Sequence, residues 1–141
     1  MPSLKDILQA RALEAAEVGQ TVAEVARRMA ERNIGAILVL EKGELRGIFS
    51  ERDLMRRIVV RRLDPEATRV EAVMSTDLTT ADESATVEEA MELMRGRGCR
   101  HLPVMRSGRV TGFISMRDLM LRELERKTEE IAHMRSYIQG A

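Results

Sequence analysis

Two short stretches carry residue types that could hold a phosphorylated, hydroxyl-rich ligand. They are Gly47, Ser50 and Asp53, and Gly112, Ser115 and Asp118, each spaced Gly-x-x-Ser-x-x-Asp. If the Ser opens a helix, the first-turn N–H groups are unpaired and carry partial positive charge, which attracts an anion. The Ser hydroxyl can then meet a phosphate oxygen, and a carboxylate one turn further in can accept both hydroxyls of a ribose. A glycine at the strand end lets a ligand approach the backbone. The same residues have a second reading, because Ser-x-x-Asp is also a helix capping box and a strand-end glycine can mark a bend.

Chemistry beyond binding finds little support. The chain has no His-Glu-x-x-His, no Walker loop and no Cys-x-x-Cys, and Cys99 is its single cysteine. Asp53 and Asp118 have no general acid beside them, so no catalytic residue and no catalytic cofactor is assigned. His101 and His133 lack metal-ligand spacing, so no metal site is expected. Charge is balanced at 23 Lys+Arg against 23 Asp+Glu, and aromatics are 2% with no Trp. Both facts disfavour a nucleic-acid binder, which needs a basic field or stacking platforms. The N-terminal stretch has no apolar core of a secretory signal, and no run reaches the ~20 apolar residues of a membrane span. The expectation is a soluble, cytoplasmic protein.

The elements that must position the two motifs emerge when the chain is laid over itself. Residues 21–58 match 86–123 without a gap at an offset of 65, with 14 of 38 positions identical. Such a repeat decides the architecture before any local reading does. In each copy Thr21 or Thr86 caps an amphipathic helix (Val22, Val25, Met29; Val87, Ala90, Met94), with Glu24 or Glu89 three residues after it. A strand follows (36–40; 102–105), then a Gly-containing turn, a return strand (45–49; 110–114) and a second helix opened by the junction Ser. Pro103 has no N–H, so its donor side should face away from a neighbouring strand. KDIL (5–8) and VEAV (70–73) read as short turns leading into their own copies. A two-stranded hairpin is marginal alone, so the copies should pack on one another about a pseudo-twofold axis. The boundaries expected are 1–64, 65–125 and a C-terminal helical extension over 126–141.

The tandem unit, the GIFSERD and GFISMRD junctions and the RHLPV strand resemble a pair of cystathionine β-synthase (CBS) domains, a Bateman module. The resemblance implies an α+β, two-layer fold of two β-α-β-β-α repeats. It also implies a regulatory module binding adenosine-containing ligands (AMP, ADP, ATP, NAD-type cofactors or S-adenosylmethionine) in the cleft between repeats. Carried onto this chain, the junction carboxylates Asp53 and Asp118 hold ribose, and Ser50 and Ser115 approach phosphate. The backbone leading into each repeat, at Glu14–Ala16 (Ala15 central) and at Leu78–Thr80 (Thr79, Thr80), meets adenine. Arg100 and His101 sit where such modules hold phosphate, with Arg117 beside Asp118. The first copy has Gly35 and Ala36 there, without charge.

The helix over 116–138 is longer than a repeat needs, with Leu121, Leu124, Ile131 and Ile138 at spacing close to a coiled-coil seam. That suggests a helix packed on the partner subunit of a homodimer, the alternative being a lone charged extension; an effector protein, unidentified, follows from the regulatory role the resemblance implies. The other readings are an interaction dimer whose caps bind nothing, and a nucleic-acid-associated CBS protein using its Arg-rich helices.

Overall fold

The computed structural model describes residues 2–8 and 13–140. The first copy consists of α1 (Leu4–Ile7), β1 (Ala15–Glu17), α2 (Val22–Arg32), β2 (Ala36–Glu41), β3 (Glu44–Ser50) and α3 (Glu51–Asp53). The second consists of β4 (Ala81–Asp82), α4 (Val87–Arg97), β5 (His101–Arg106), β6 (Arg109–Ser115) and α5 (Met116–Gln139). They form two three-stranded sheets, ordered β1-β2-β3 and β4-β5-β6, so the expected α+β architecture of two equivalent units is the one observed.

The repeated grammar becomes repeated geometry. Thr21 and Thr86 accept the N–H of Glu24 and Glu89 and start α2 and α4. The helices stop where Asn33 and Gly98 turn left-handed, at φ 54° and 68°. Lys42–Gly43 and Ser107–Gly108 have positive φ at both residues, the turn that matches the twist of a tight hairpin. Each sheet is covered by its own helices over a core of aliphatic side chains, with Phe49 the one buried ring.

Three features depart from the sequence expectation. First, α3 continues not as a regular helix but as a wide π-helix over Leu54–Val59, with Val60 N–H bonded to Met55 O and Leu63 N–H to Ile58 O. The wide turn keeps Ile58 in the core while Arg57 reaches back to the carbonyls of Val73 and Met74.

Second, Pro103 lies in a central strand, and its N side faces β4. The Met105 carbonyl accepts from Glu83 N–H on that side, and alternate residues of a strand share a side. With no donor at Pro103, the ladder that begins at Ala15↔Leu38 in the first sheet begins one residue later, at Ala81↔Val104, in the second.

Third, the lead-in turns cross over. Leu4 is fully buried in the second copy's core, where its N–H bonds Ala85 O. Val70 and Val73 are buried in the first copy's core, and Val70 N–H bonds Gln20 O. Each core is thus closed by the segment that precedes the other copy. The glycines of the two motifs serve this exchange rather than leaving room for a ligand. A Cβ on Gly47 would meet Met74 Sδ at 2.6 Å and the Ser75 carbonyl at 2.8 Å, and one on Gly112 would collide with the Leu8 side chain.

Candidate functional site

Both junction serines are helix N-caps. Asp53 N–H donates to Ser50 Oγ at 3.2 Å and Asp118 N–H to Ser115 Oγ at 3.0 Å. The carboxylates return the favour, accepting Ser50 N–H at 3.0 Å and Ser115 N–H at 3.1 Å. The first N–H of each helix is taken by a backbone carbonyl just before the middle strand: Glu51 N–H by Gly35 O, and Met116 N–H by Arg100 O. The capping-box reading of the motif therefore holds in both copies, and the copies diverge in what else reaches the carboxylate.

At the first junction Asp53 is 6% exposed and saturated. Ser75 Oγ donates to its Oδ1 at 3.0 Å, Ser50 Oγ donates to Oδ2 at 3.1 Å, and Arg57 Nε lies 3.7 Å from Oδ1. Ser75 also exchanges two backbone hydrogen bonds with Ile48, adding itself to the edge of β3. The backbone expected to meet adenine is engaged as well. Arg28 Nη1 donates to Ala15 O at 2.6 Å, and its Nε lies 3.4 Å from Glu14.

Among the described residues none of these attachments recurs at the second junction. At the offset of 65, Ser75 corresponds to Ala10, which lies outside the described residues but carries no hydroxyl, and Arg28 corresponds to Leu93. Asp118 is exposed, and its Oδ1 takes no hydrogen bond from a described residue. His101 pairs across the ladder with Ser115, and its ring stacks on Phe113 with centroids 5.5 Å apart. The residues leading into β4 lie alongside the His101 end of β5, so Thr79 and Thr80 stand at the same end of the sheet as Ser115 and Asp118, with β5 between them. Because Pro103 offers no N–H there, that backbone arrives without a ladder donor.

The two junctions also feel one another. β3 meets β6 at the interface between sheets. Burial lowers the His101 pKa, opposed by the negative charges of Asp118 and of Glu51 from the other copy, while Arg100 lowers it further. Of the residues singled out from the sequence, Ser115, Asp118, His101, Thr79 and Thr80 converge on one end of the second sheet, with Arg100 and Arg117 exposed beside them. Ser50, Asp53 and Ala15 converge on the corresponding end of the first. Ser75 and Arg28 were absent from the sequence reading. Extending the 65-residue comparison into the lead-in segments would have drawn attention to Ser75 against Ala10.

The CBS domain family pattern matches residues 4–60 and 70–125, one match per copy. The chain belongs to the CBS domain family and is a tandem CBS pair. It is 30% identical over 128 residues to the CBS domain-containing protein YhcV of Bacillus subtilis, covering 91% of this chain and 90% of that one. It is 33% identical over 125 residues to the mitochondrial CBS domain-containing protein CBSX3 of Arabidopsis thaliana, covering 85% of this chain but 61% of the plant protein. Among solved structures, the CBS domain protein NE2398 superposes with a TM-score of 0.82 at 32% identity, covering 88% and 99% of the two chains. The CBS pair of MJ0100, solved with 5′-methylthioadenosine and S-adenosyl-L-methionine, shares the fold at a TM-score of 0.78 and 22% identity. A Burkholderia ambifaria CBS protein at 33% identity is assigned provisionally to signal transduction. Among the described residues no helix is long and apolar enough to cross a membrane.

Proposed function

We propose that this CBS pair is a non-catalytic regulatory module that binds one adenosine-containing ligand per chain, at the second junction, and acts as a homodimer on an effector protein. The observation that carries this reading is the exposed Asp118 carboxylate at a helix N-terminus, whose Oδ1 takes no hydrogen bond from a described residue, set against a saturated Asp53. In this reading Asp118 accepts the ribose hydroxyls, and Ser115, Arg100, His101 and Arg117 hold phosphate or another anionic group. The backbone of Thr79 and Thr80 receives the adenine edge, with Pro103 having removed the strand donor that would compete for it. The same fold accommodates two adenosine derivatives in MJ0100. A basic group beside a helix N-terminus favours AMP, ADP, ATP or an NAD-type ligand, whereas S-adenosylmethionine, carrying a sulfonium, would rely on Asp118 more than on Arg100. Ser50 and Asp53 then serve as the clasp that fastens the crossover segment.

Titration calorimetry of the full chain with AMP, ADP, ATP, NAD⁺ and S-adenosylmethionine tests the proposal. Saturation by at least one of them at one ligand per chain is expected. Absence of heat from all five at millimolar concentration overturns it in favour of a purely structural dimer, and two ligands per chain would return Asp53 to the binding residues.

A further inference from the structure

Helix α5 is 24 residues long, about 36 Å, and only its first part is used by the module. Leu119 is buried in the second core, and Arg126 ties the helix to α4 through Glu88 at 3.8 Å and to Glu123 at 3.2 Å. On a different face, Met120, Leu124, Ile131, Met134 and Ile138 are all exposed. Together with Lys127 they recur at alternating steps of four and three residues, the spacing of a two-stranded coiled-coil seam.

We infer that this seam is covered by α5 of a second copy running parallel to it, so that the dimer joins second copy to second copy. The inference rests on the homodimer part of the function proposed above and adds its geometry. Three observations select the occupant. The first is length. Met55 and Val59 of the first copy are the counterparts of Met120 and Leu124 and are as exposed (54% and 65% against 57% and 63%). A head-to-tail dimer could therefore set these faces together, but the first-copy helix makes its last turn at Leu63, before Asp64–Pro65. Laid on α5, it would leave Ile131, Met134 and Ile138 uncovered. The second is charge. In a parallel pair Glu130, just before the seam residue Ile131, faces Arg135 of the other chain five positions on, and the symmetry makes two such pairs. An antiparallel pair centred on the seam would set Glu130 against Glu130. The third is side-chain shape, since β-branched Ile131 and Ile138 at the first seam position of the heptad favour two parallel strands.

The test is oxidative cross-linking and light scattering on the full chain. Ile138→Cys in the otherwise native protein should give a disulfide-linked dimer under mild oxidation, while the native chain, with Cys99 alone, gives none. Glu130→Arg should weaken dimerisation by about tenfold, and adding Arg135→Glu should restore it, since exposed pairs act additively through charge. A dimer by light scattering in which Ile138→Cys does not cross-link, but a mixture of Met120→Cys and Ile138→Cys chains does, overturns the parallel geometry and leaves the homodimer standing. A 15.9 kDa monomer at tens of micromolar overturns both.

Discussion

The first and second junctions share a motif, a spacing and a capping geometry, and differ in almost everything that touches their carboxylates. Asp53 is buried among Ser50, Ser75 and Arg57, whereas Asp118 holds one backbone N–H and faces solvent. The capping box explains why both copies retain Ser-x-x-Asp, since it satisfies helix-end donors that would otherwise be unpaired. What makes a cap a binding group is a spare acceptor, and that depends on residues outside the motif. Ser75 and Arg28 close one copy; in the other, the counterpart of Arg28 is Leu93, and Pro103 withholds a ladder donor. Duplication makes such division of labour possible, because one copy can fasten the fold while the other keeps its polar groups free.

The sharpest way to break the comparison is to remove each carboxylate in turn. Asp53→Ala leaves the Ser50 N–H and the Ser75 hydroxyl without an acceptor in a half-buried place and frees Arg57. It should cost about 2–4 kcal/mol of stability, with a fall of roughly ten degrees in melting temperature and no change in ligand stoichiometry. Asp118→Ala should do the reverse. Its stability cost is that of a weakened cap, about 1 kcal/mol or less, while nucleotide affinity drops by the 1.5–3 kcal/mol of a charge-assisted contact. Thermal denaturation and calorimetry on both variants separate the two effects. Equal losses of affinity would mean that the two junctions are equivalent after all.

The glycines sharpen the same contrast through packing. Gly47→Ala drives a methyl against the Ser75 backbone, which cannot move without breaking its two bonds to Ile48, so about 1–3 kcal/mol is expected. Gly112→Ala meets the end of the Leu8 side chain, and the double variant with Leu8→Ala should recover most of the loss. Chemical denaturation of the three variants reads this directly. Failure of Leu8→Ala to rescue would show that the crossover segment does not bear on Gly112.

These differences mark where the sequence was legible and where it was not. Helices α2 and α4, the four hairpin strands and the junction caps announce themselves locally, through apolar period, positive-φ turn residues and Ser or Thr with an acid three residues on. The 65-residue offset doubled every such signal. The crossover of Leu4 and Val70 carries no local signature, because a short apolar turn buries equally well against its own copy or the other. The same holds for Arg28 and for the reach of Arg57 to Val73 and Met74, where the targets are backbone carbonyls, and carbonyls have no residue identity to match. The π-helix after Asp53 is invisible for a similar reason, since LMRRIV has ordinary helical composition and the wider turn answers to Ile58 and Arg57 packing on the crossover segment.

The smallest expected effect tests whether the second junction is tuned for an anionic ligand. In the free protein burial holds the His101 pKa below its ordinary value, with Arg100 adding to the shift and Asp118 and Glu51 opposing it, so the imidazole is neutral at pH 7. The sign for stability follows: the unfolded chain binds the proton more readily, so His101 contributes fully above its unfolded pKa of about 6.5 and less as pH falls below it. A phosphate placed beside the ring acts in the opposite sense, favouring the imidazolium and drawing a proton in on binding. Affinity for a phosphorylated nucleotide should therefore rise as pH falls from 8 to 6, by less than about tenfold, while the free protein loses stability over the lower part of that range. Calorimetry in two buffers of different ionisation enthalpy measures the proton uptake, and His101→Asn should abolish it without unfolding the sheet. Uptake that survives the substitution would assign the proton to another group, and uptake that never appears would place the phosphate away from β5.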